Sequence, residues 1–190
     1  MRLAALALTA ATTNALVPPQ RTPRATRLAN TADVEACLND EFPAFAALVF
    51  QNKGLWRGLK DDAGYTVLAP NESVFAALDE KQRAQLTDPR NGEINEKIGA
   101  FHVINDPVSK EDLYESSSVM TAGGRIDVAP TVVGGLFGFG GKEDGGVTIN
   151  GAKIISSRQF GQCVVHECDG FCHPKLLERY LDQLRLPGSS

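Results

Sequence analysis

The sequence predicts one α+β domain behind a short leader, and three observations carry that prediction. Apolar residues recur at three- and four-residue steps through the first half, at Val34, Cys37, Leu38, Phe42, Phe45, Leu48 and Val49, and again at Ile94, Ile98 and Phe101. This is the period of helices with one buried face. From Ser117 onward the period drops to two, as in strands. Asn150-Gly151 stands between Val147-Thr148-Ile149 and Ala152-Lys153-Ile154-Ile155, the strongest short signal for a two-residue hairpin. Helices lead and strands follow, which argues α+β over an alternating α/β order. With 190 residues, 43% apolar and 22% charged, the chain can build a core without a metal or oligomer.

Residues 1–15 are set apart: Met1-Arg2, an apolar run from Leu3 to Ala11, then small residues at Thr13-Asn14-Ala15. These read as a signal peptide. Residues 16–29 are basic, hydroxylated and broken by Pro18, Pro19 and Pro23, as in an organelle transit peptide. The first acid of the chain is Asp33. The two pieces together resemble the bipartite leaders of algae with secondary plastids, with Leu16 where Phe is commoner. The expected compartment is a plastid, in the stroma or a membrane-associated complex; the alternative is secretion.

Residues 1–29 hold four of the 19 basic residues (Arg2, Arg21, Arg24, Arg27), leaving 15 against 23 acids, a net charge near −8. Such a domain lacks the basic footprint of a nucleic-acid binder. It is equally unsuited to electrostatic docking on anionic lipid. No apolar run approaches the roughly 18 residues of a membrane span.

Asn30 or Thr31 is expected to cap a helix from about Ala32, interrupted at Asp40-Glu41-Phe42-Pro43 and ended by Gly54. Leu55, Trp56 and Leu59 follow as a short helical turn, and Asp61 to Gly64 turns into a strand from Tyr65 to Ala69. Pro70 stops it and Asn71 caps the next helix, with Glu72 favourable at its positive end. Helices are expected over Glu80–Leu86 and Glu93–Phe101, then a strand over His102–Ile104 and a turn of helix capped by Ser109. Ser117–Met120 and Arg125–Val128 form a hairpin, the seven glycines of residues 134–146 a loop, and Gln162–Cys168 the last strand. Leu176, Leu177, Tyr180, Leu181 and Leu184 mark an amphipathic helix within residues 175–190.

Three ordered segments resemble the fasciclin-like (FAS1) domain family. Tyr65-Thr66-Val67-Leu68-Ala69-Pro70-Asn71-Glu72-Ser73-Val74-Phe75 is similar to its first signature, with Thr66, Ala69, Pro70, Asn71 and Phe75 as the matching positions. Phe101-His102 resembles the central Tyr-His motif, with Phe for Tyr. Val147 to Ala152 followed by Val164 to Gly170 and Pro174 resembles the second signature, through Asn150, Gly151, His166, Asp169, Gly170 and Pro174. The resemblance implies a FAS1 domain over residues 30–174, helices on a sandwich-like wedge of strands, and structural roles for these residues. It further implies a non-enzymatic interaction or adhesion module with a protein partner and no cofactor. In a plastid, that module is expected to be a scaffold or accessory subunit.

Gly161–Pro174 contains three of the four cysteines and two of the three histidines. Cys163-x2-His166-x-Cys168-x3-Cys172-His173 has the residue types for zinc. Strand alternation, however, puts Cys163 and Glu167 on one face and His166 and Cys168 on the other, which splits the set. Two readings of the thiols stand side by side. One is a disulfide from Cys37 to Cys168 or Cys172, closing a loop of well over 100 residues. The other is free, buried cysteines packed as small apolar residues. A nucleophilic cysteine would need an oriented base and an electropositive setting, which an acidic domain does not suggest. Leu136, Phe137 and Phe139 in the glycine-rich stretch are candidates for partner docking, peripheral association with a membrane or complex included. Two functions of other classes stay open: a cysteine-based redox or metal-binding protein, and a carrier of an apolar ligand such as a lipid or pigment.

Overall fold

The computed structural model describes residues 24–61, 64–134 and 141–174. The chain begins with three helices: α1 (Arg24–Glu41), α2 (Pro43–Val49) and α3 (Lys53–Asp61). Pro43 cannot continue α1 but suits the first turn of α2, so the expected interruption occurs there. Two starts differ from expectation. Arg24 to Ala29 contains neither Pro nor Gly, so nothing stops α1 from extending upstream of Asn30. Asn30 and Thr31 are therefore buried interior residues of α1 rather than caps. Gly54 lies inside α3, because Asn52 caps that helix by accepting the Leu55 N–H at 2.9 Å.

Strand β1 (Thr66–Pro70) follows, then α4 (Glu72–Ala76) and α5 (Glu80–Thr87). Asn71 caps α4, accepting the Val74 N–H at 3.3 Å. Asp79 and Gln82 form a reciprocal capping box on α5. A 3-10 turn (Pro89–Asn91) leads into α6 (Gly92–Ala100), the short strand β2 (Val103–Ile104) and α7 (Lys110–Glu115), whose capping box is Ser109 with Asp112. The strands β3 (Ser118–Thr121), β4 (Gly124–Val133), β5 (Lys142–Ile149), β6 (Ala152–Phe160) and β7 (Cys163–Cys168) complete the order. β4 and β5 both run further than expected, so part of the glycine-rich stretch is strand, with an irregularity between Pro130 and Val132. Asn150 and Gly151 both take positive φ, 49° and 91°, as a type I′ hairpin turn requires.

The strands form one seven-stranded sheet in the order β2-β1-β7-β6-β5-β4-β3. β1 and β7 are parallel, and every other pair is antiparallel. α1 lies against β6, β7, α2 and α3, while α2 also meets α4 and α6. The core is where these layers meet, around the fully enclosed Leu38, Phe45, Tyr65, Leu68, Ile98 and Ile154. Phe50, Trp56 and Tyr65 stack edge to face at 4.8 and 5.9 Å, and the Trp56 indole donates to Glu35 at 2.5 Å, tying α3 to α1.

The Asn30 amide seats α1 on the β6–β7 turn. Gly161 there has φ +59°, and a Cβ would fall 2.3 Å from Asn30 Nδ2. Gly161→Ala is expected to lower unfolding free energy by ~2 kcal/mol, part from the left-handed backbone and part from this contact. Asn30→Ala combined with it should be less than additive, because it removes the contact but not the backbone strain. Urea denaturation of the single and double variants measures this.

Candidate functional site

The residues of the three motifs converge on two backbone connections flanking β7. One runs between β2 and α7. Thr66 Oγ1 donates to the Asp106 carbonyl at 2.9 Å and accepts the Val108 N–H at 2.8 Å. His166, on β7, contacts the Val108 carbonyl through Nε2 at 3.0 Å. Its Nδ1 lies 2.7 Å from the hydroxyl of Ser157, its register partner on β6. A carbonyl can only accept, so the proton sits on Nε2 and Ser157 donates to Nδ1. Val108 is thus held at both its N–H and its carbonyl.

The other connection follows β7. His102, between α6 and β2, donates from Nδ1 to the Ile98 carbonyl at 2.8 Å and accepts the Cys172 N–H on Nε2 at 3.0 Å. Asn150 donates to the Cys172 carbonyl at 2.9 Å, so Cys172 too is held at both ends. Asp169 accepts the Lys153 N–H at 2.6 Å and returns its own N–H to the Lys153 carbonyl at 3.0 Å. Gly170 leaves only 3.2 Å between a would-be Cβ and that of Ala152. Asn71 donates its N–H to the Cys168 carbonyl at 3.0 Å. Phe75 and Phe171 pack edge-on at 5.1 Å, and His173 lies over Phe171 and beside His102.

Both histidines are fully enclosed. Burial pushes the His102 pKa down to about 3, outweighing the hydrogen bond to Ile98. Burial also lowers that of His166. Both rings are therefore neutral, each with one donor and one acceptor satisfied. Ser157 and His166 contain a nucleophile and a base, yet the second ring nitrogen meets a carbonyl rather than the carboxylate that would stabilise an imidazolium. With its basicity lowered by burial, the ring is a poor proton acceptor. The arrangement is a clamp.

The four cysteines are free thiols and all are buried. Cys37 lies beside Arg158 and Glu41, which form an ion pair between β6 and α1. Cys163 faces the Tyr65 hydroxyl. Cys168 is hydrogen-bonded to Cys172. The bridge from Cys37 to Cys168 or Cys172 is not made, and the thiols brought together are the two on β7 and its trailing turn. The hydrogen bond to Cys172, then burial, raises the Cys168 pKa; burial raises those of Cys37 and Cys163. These thiols are protonated, and neither nucleophile nor metal ligand is the protonated form. Among the described residues no group of three His, Cys, Asp or Glu side chains is placed to hold a metal.

Sequence reasoning missed Ser157 as the partner of His166; cross-strand register, which composition does not reveal, places it there. It also missed the Arg158–Glu41 pair, with the guanidinium 5.8 Å over the Phe42 ring. The docking candidates Leu136, Phe137 and Phe139 lie outside the described residues, as do residues 175–190. No described helix is long and apolar enough to cross a membrane.

A family model, the fasciclin domain, matches residues 40–172. A solved FAS1 domain pair from the insect cell adhesion molecule fasciclin I superimposes with a TM-score of 0.51 at 17% sequence identity. The alignment covers 70% of this chain and 45% of that one, so the chain spans less than half of the domain pair. No curated protein matches.

Because the folded His102 pKa lies below the unfolded value near 6.5, the unfolded chain binds more protons in acid. Stability should be full above pH 6.5 and fall as pH drops toward 3, by up to about 5 kcal/mol at the end of that range. His166 adds loss in the same direction. His102→Gln should lower stability at pH 7 and flatten this slope, followed by fluorescence of the buried Trp56 in urea. A thiol titration with a disulfide reagent should find almost no reactive cysteine in the native protein and four once it is unfolded without reductant.

Proposed function

This chain belongs to the fasciclin domain family, and from that premise we propose that it is a non-enzymatic scaffold or accessory subunit that docks a protein partner through the end of its β4–β5 hairpin. The observation that carries this reading is the exposure of Val132 and Val133, 58% and 53%. Adjacent strand residues face opposite sides. Both being exposed means that apolar side chains reach solvent on each face of the hairpin end. Met120, on the neighbouring edge strand β3, is 65% exposed. Leu136, Phe137 and Phe139 continue this apolar character into the segment joining the two strands. The hairpin is braced level with Val132, where Tyr114 of α7 donates to Glu143, the register partner of Val132, at 2.5 Å, and next to it, where Thr131 bonds to Asp144. Apolar residues on a braced projection suit insertion into a partner's pocket.

The size of the cavities among the described residues supports this over a carrier of lipid or pigment. Three cavities lined by described residues measure about 210–290 Å3, below the usual size of sites for such ligands. Protonated, enclosed thiols argue against redox or metal function. The signal-like residues 1–15 and basic residues 16–29 support delivery to a plastid through the secretory route, with secretion as the alternative. α1 starts within that leader, so cleavage after Ala29 leaves a helix beginning at Asn30.

Phe137→Ser with Phe139→Ser is expected to abolish partner recovery in affinity purification from the native organism while the melting temperature stays within about 2 °C. Recovery equal to the unmodified chain sinks the docking reading. Imaging a fusion that keeps residues 1–29 tests the compartment.

A further inference from the structure

The step from β1 into α4 carries a motif that neither the histidine clamps nor the hairpin uses. Asn71-Glu72-Ser73 is an Asn-x-Ser sequence with no proline at its centre, the acceptor pattern for an N-linked glycan. No other asparagine of the chain is followed two positions later by Ser or Thr.

Such a pattern is of use only where the amide nitrogen is accessible and is not committed to the fold. Asn71 meets both conditions. It is half-buried, and Glu72 and Ser73 are exposed. Its side-chain oxygen makes the helix cap: Oδ1 accepts the Val74 N–H at 3.3 Å and the Ser73 hydroxyl at 2.6 Å. Among the described residues no hydrogen bond engages its Nδ2. Attachment of a sugar replaces one of the two protons on Nδ2 and leaves both lone pairs of Oδ1 in place. The cap on α4 and the sugar therefore use different atoms of one amide. The side chain between the two motif residues is held by α2, where Glu72 accepts the Ala44 N–H at 3.0 Å.

The position also leaves the hairpin end clear. In the sheet register Pro70 pairs with Cys168, Cys168 with Ile154, Ala152 with Ile149, and Ile149 with Val128. Asn71 follows Pro70 at this end of the strands. Val132 and Val133 pair with Glu143 and Lys142 at the other end. A bulky, hydrophilic branch on Asn71 and a partner on the β4–β5 hairpin thus start from opposite ends of the sheet.

We propose that Asn71 is the acceptor of an N-linked oligosaccharide, an assignment that rests on the secretory delivery proposed above from residues 1–29. The donor is an oligosaccharide held through a diphosphate on a membrane lipid. Asn71 Nδ2 forms a bond to the anomeric carbon of the first sugar and gives up one proton. The bond from that carbon to the diphosphate oxygen breaks, and the lipid diphosphate leaves.

The test expresses the full chain in a eukaryotic host in two forms, one with its own residues 1–15 and one with these replaced by an established signal peptide. Each is weighed by mass spectrometry before and after treatment with peptide N-glycosidase. Both forms are expected to lose the mass of one glycan. Ser73→Ala should abolish that loss, since it removes the hydroxyl of the acceptor pattern while Asn71 still caps α4, and Ser73→Thr should keep it. The proposal is overturned if the second form, recovered with its signal peptide removed, shows no change in mass, or if the change survives in Ser73→Ala. A glycan on the second form alone upholds Asn71 as the acceptor and overturns the delivery reading of residues 1–15, which tells the two failures apart.

Discussion

The last strand in sequence lies in the middle of the sheet, and the rest of the structure depends on that insertion. β7 lies parallel to β1 and antiparallel to β6. Parallel neighbours cannot be joined by a tight turn, so everything between β1 and β7 must fold back before β7 has a slot. That slot offers β7 a complete ladder on both sides. It also places the Cys172 N–H against the core, where it cannot reach water, and brings the half-buried Val108 alongside the His166 ring. A buried backbone group without a partner costs about as much as a lost hydrogen bond. The fold therefore needs side chains that supply one donor and one acceptor deep inside.

Histidine meets that need when it is neutral. Its two ring nitrogens lie on opposite sides of a flat ring, one donating and one accepting. His102 spans from the α6 carbonyls to Cys172, and His166 from β6 to Val108. In each case a second residue completes the grip: Asn150 on Cys172 and Thr66 on Val108. A charged ring would lose its acceptor and carry an uncompensated charge into the interior. The depressed basicity of both rings is the same fact seen as acid–base chemistry. Protein interiors built this way hold one geometry.

Much of this was legible in the sequence, and the failures share a cause. The helix stripe through Val34 and Leu38, the caps at Asn71 and Ser109, and the Asn150-Gly151 turn are local signals, and the structure contains each of them. The α1 start was misplaced because Asn30 has cap chemistry, whereas its amide is used against the distant Gly161 turn. Gly54 looked like a terminator because the cap at Asn52 acts only through geometry. Ser157 became the partner of His166 through register, and register depends on how the whole sheet assembles. Motifs compress such long-range facts into local residues, which is why they located the clamps when periodicity could not.

The Gly161–Pro174 stretch shows how composition and chemistry part. Its cysteines and histidines are the types that bind metals and attack substrates, but each chemistry needs a particular protonation state in an accessible place. A thiolate requires a nearby cation or polar surroundings. Among the described residues, Cys168 and Cys172 face each other, Cys163 faces a tyrosine hydroxyl, and Cys37 has a cation near it. That cation, Arg158, is already committed to Glu41, and burial still leaves the Cys37 pKa raised. The same low-dielectric setting that keeps His102 and His166 neutral keeps the Cys37, Cys163 and Cys168 thiols protonated. What the stretch supplies is polar satisfaction and dense packing at the point where β7 closes the sheet. Among the described residues the large apolar side chains left exposed are Met120, Val132, Val133 and Ile155, the middle two at the far end of the β4–β5 hairpin. The enclosed, neutral rings of His102 and His166 make the closing strand a structural part of the fold.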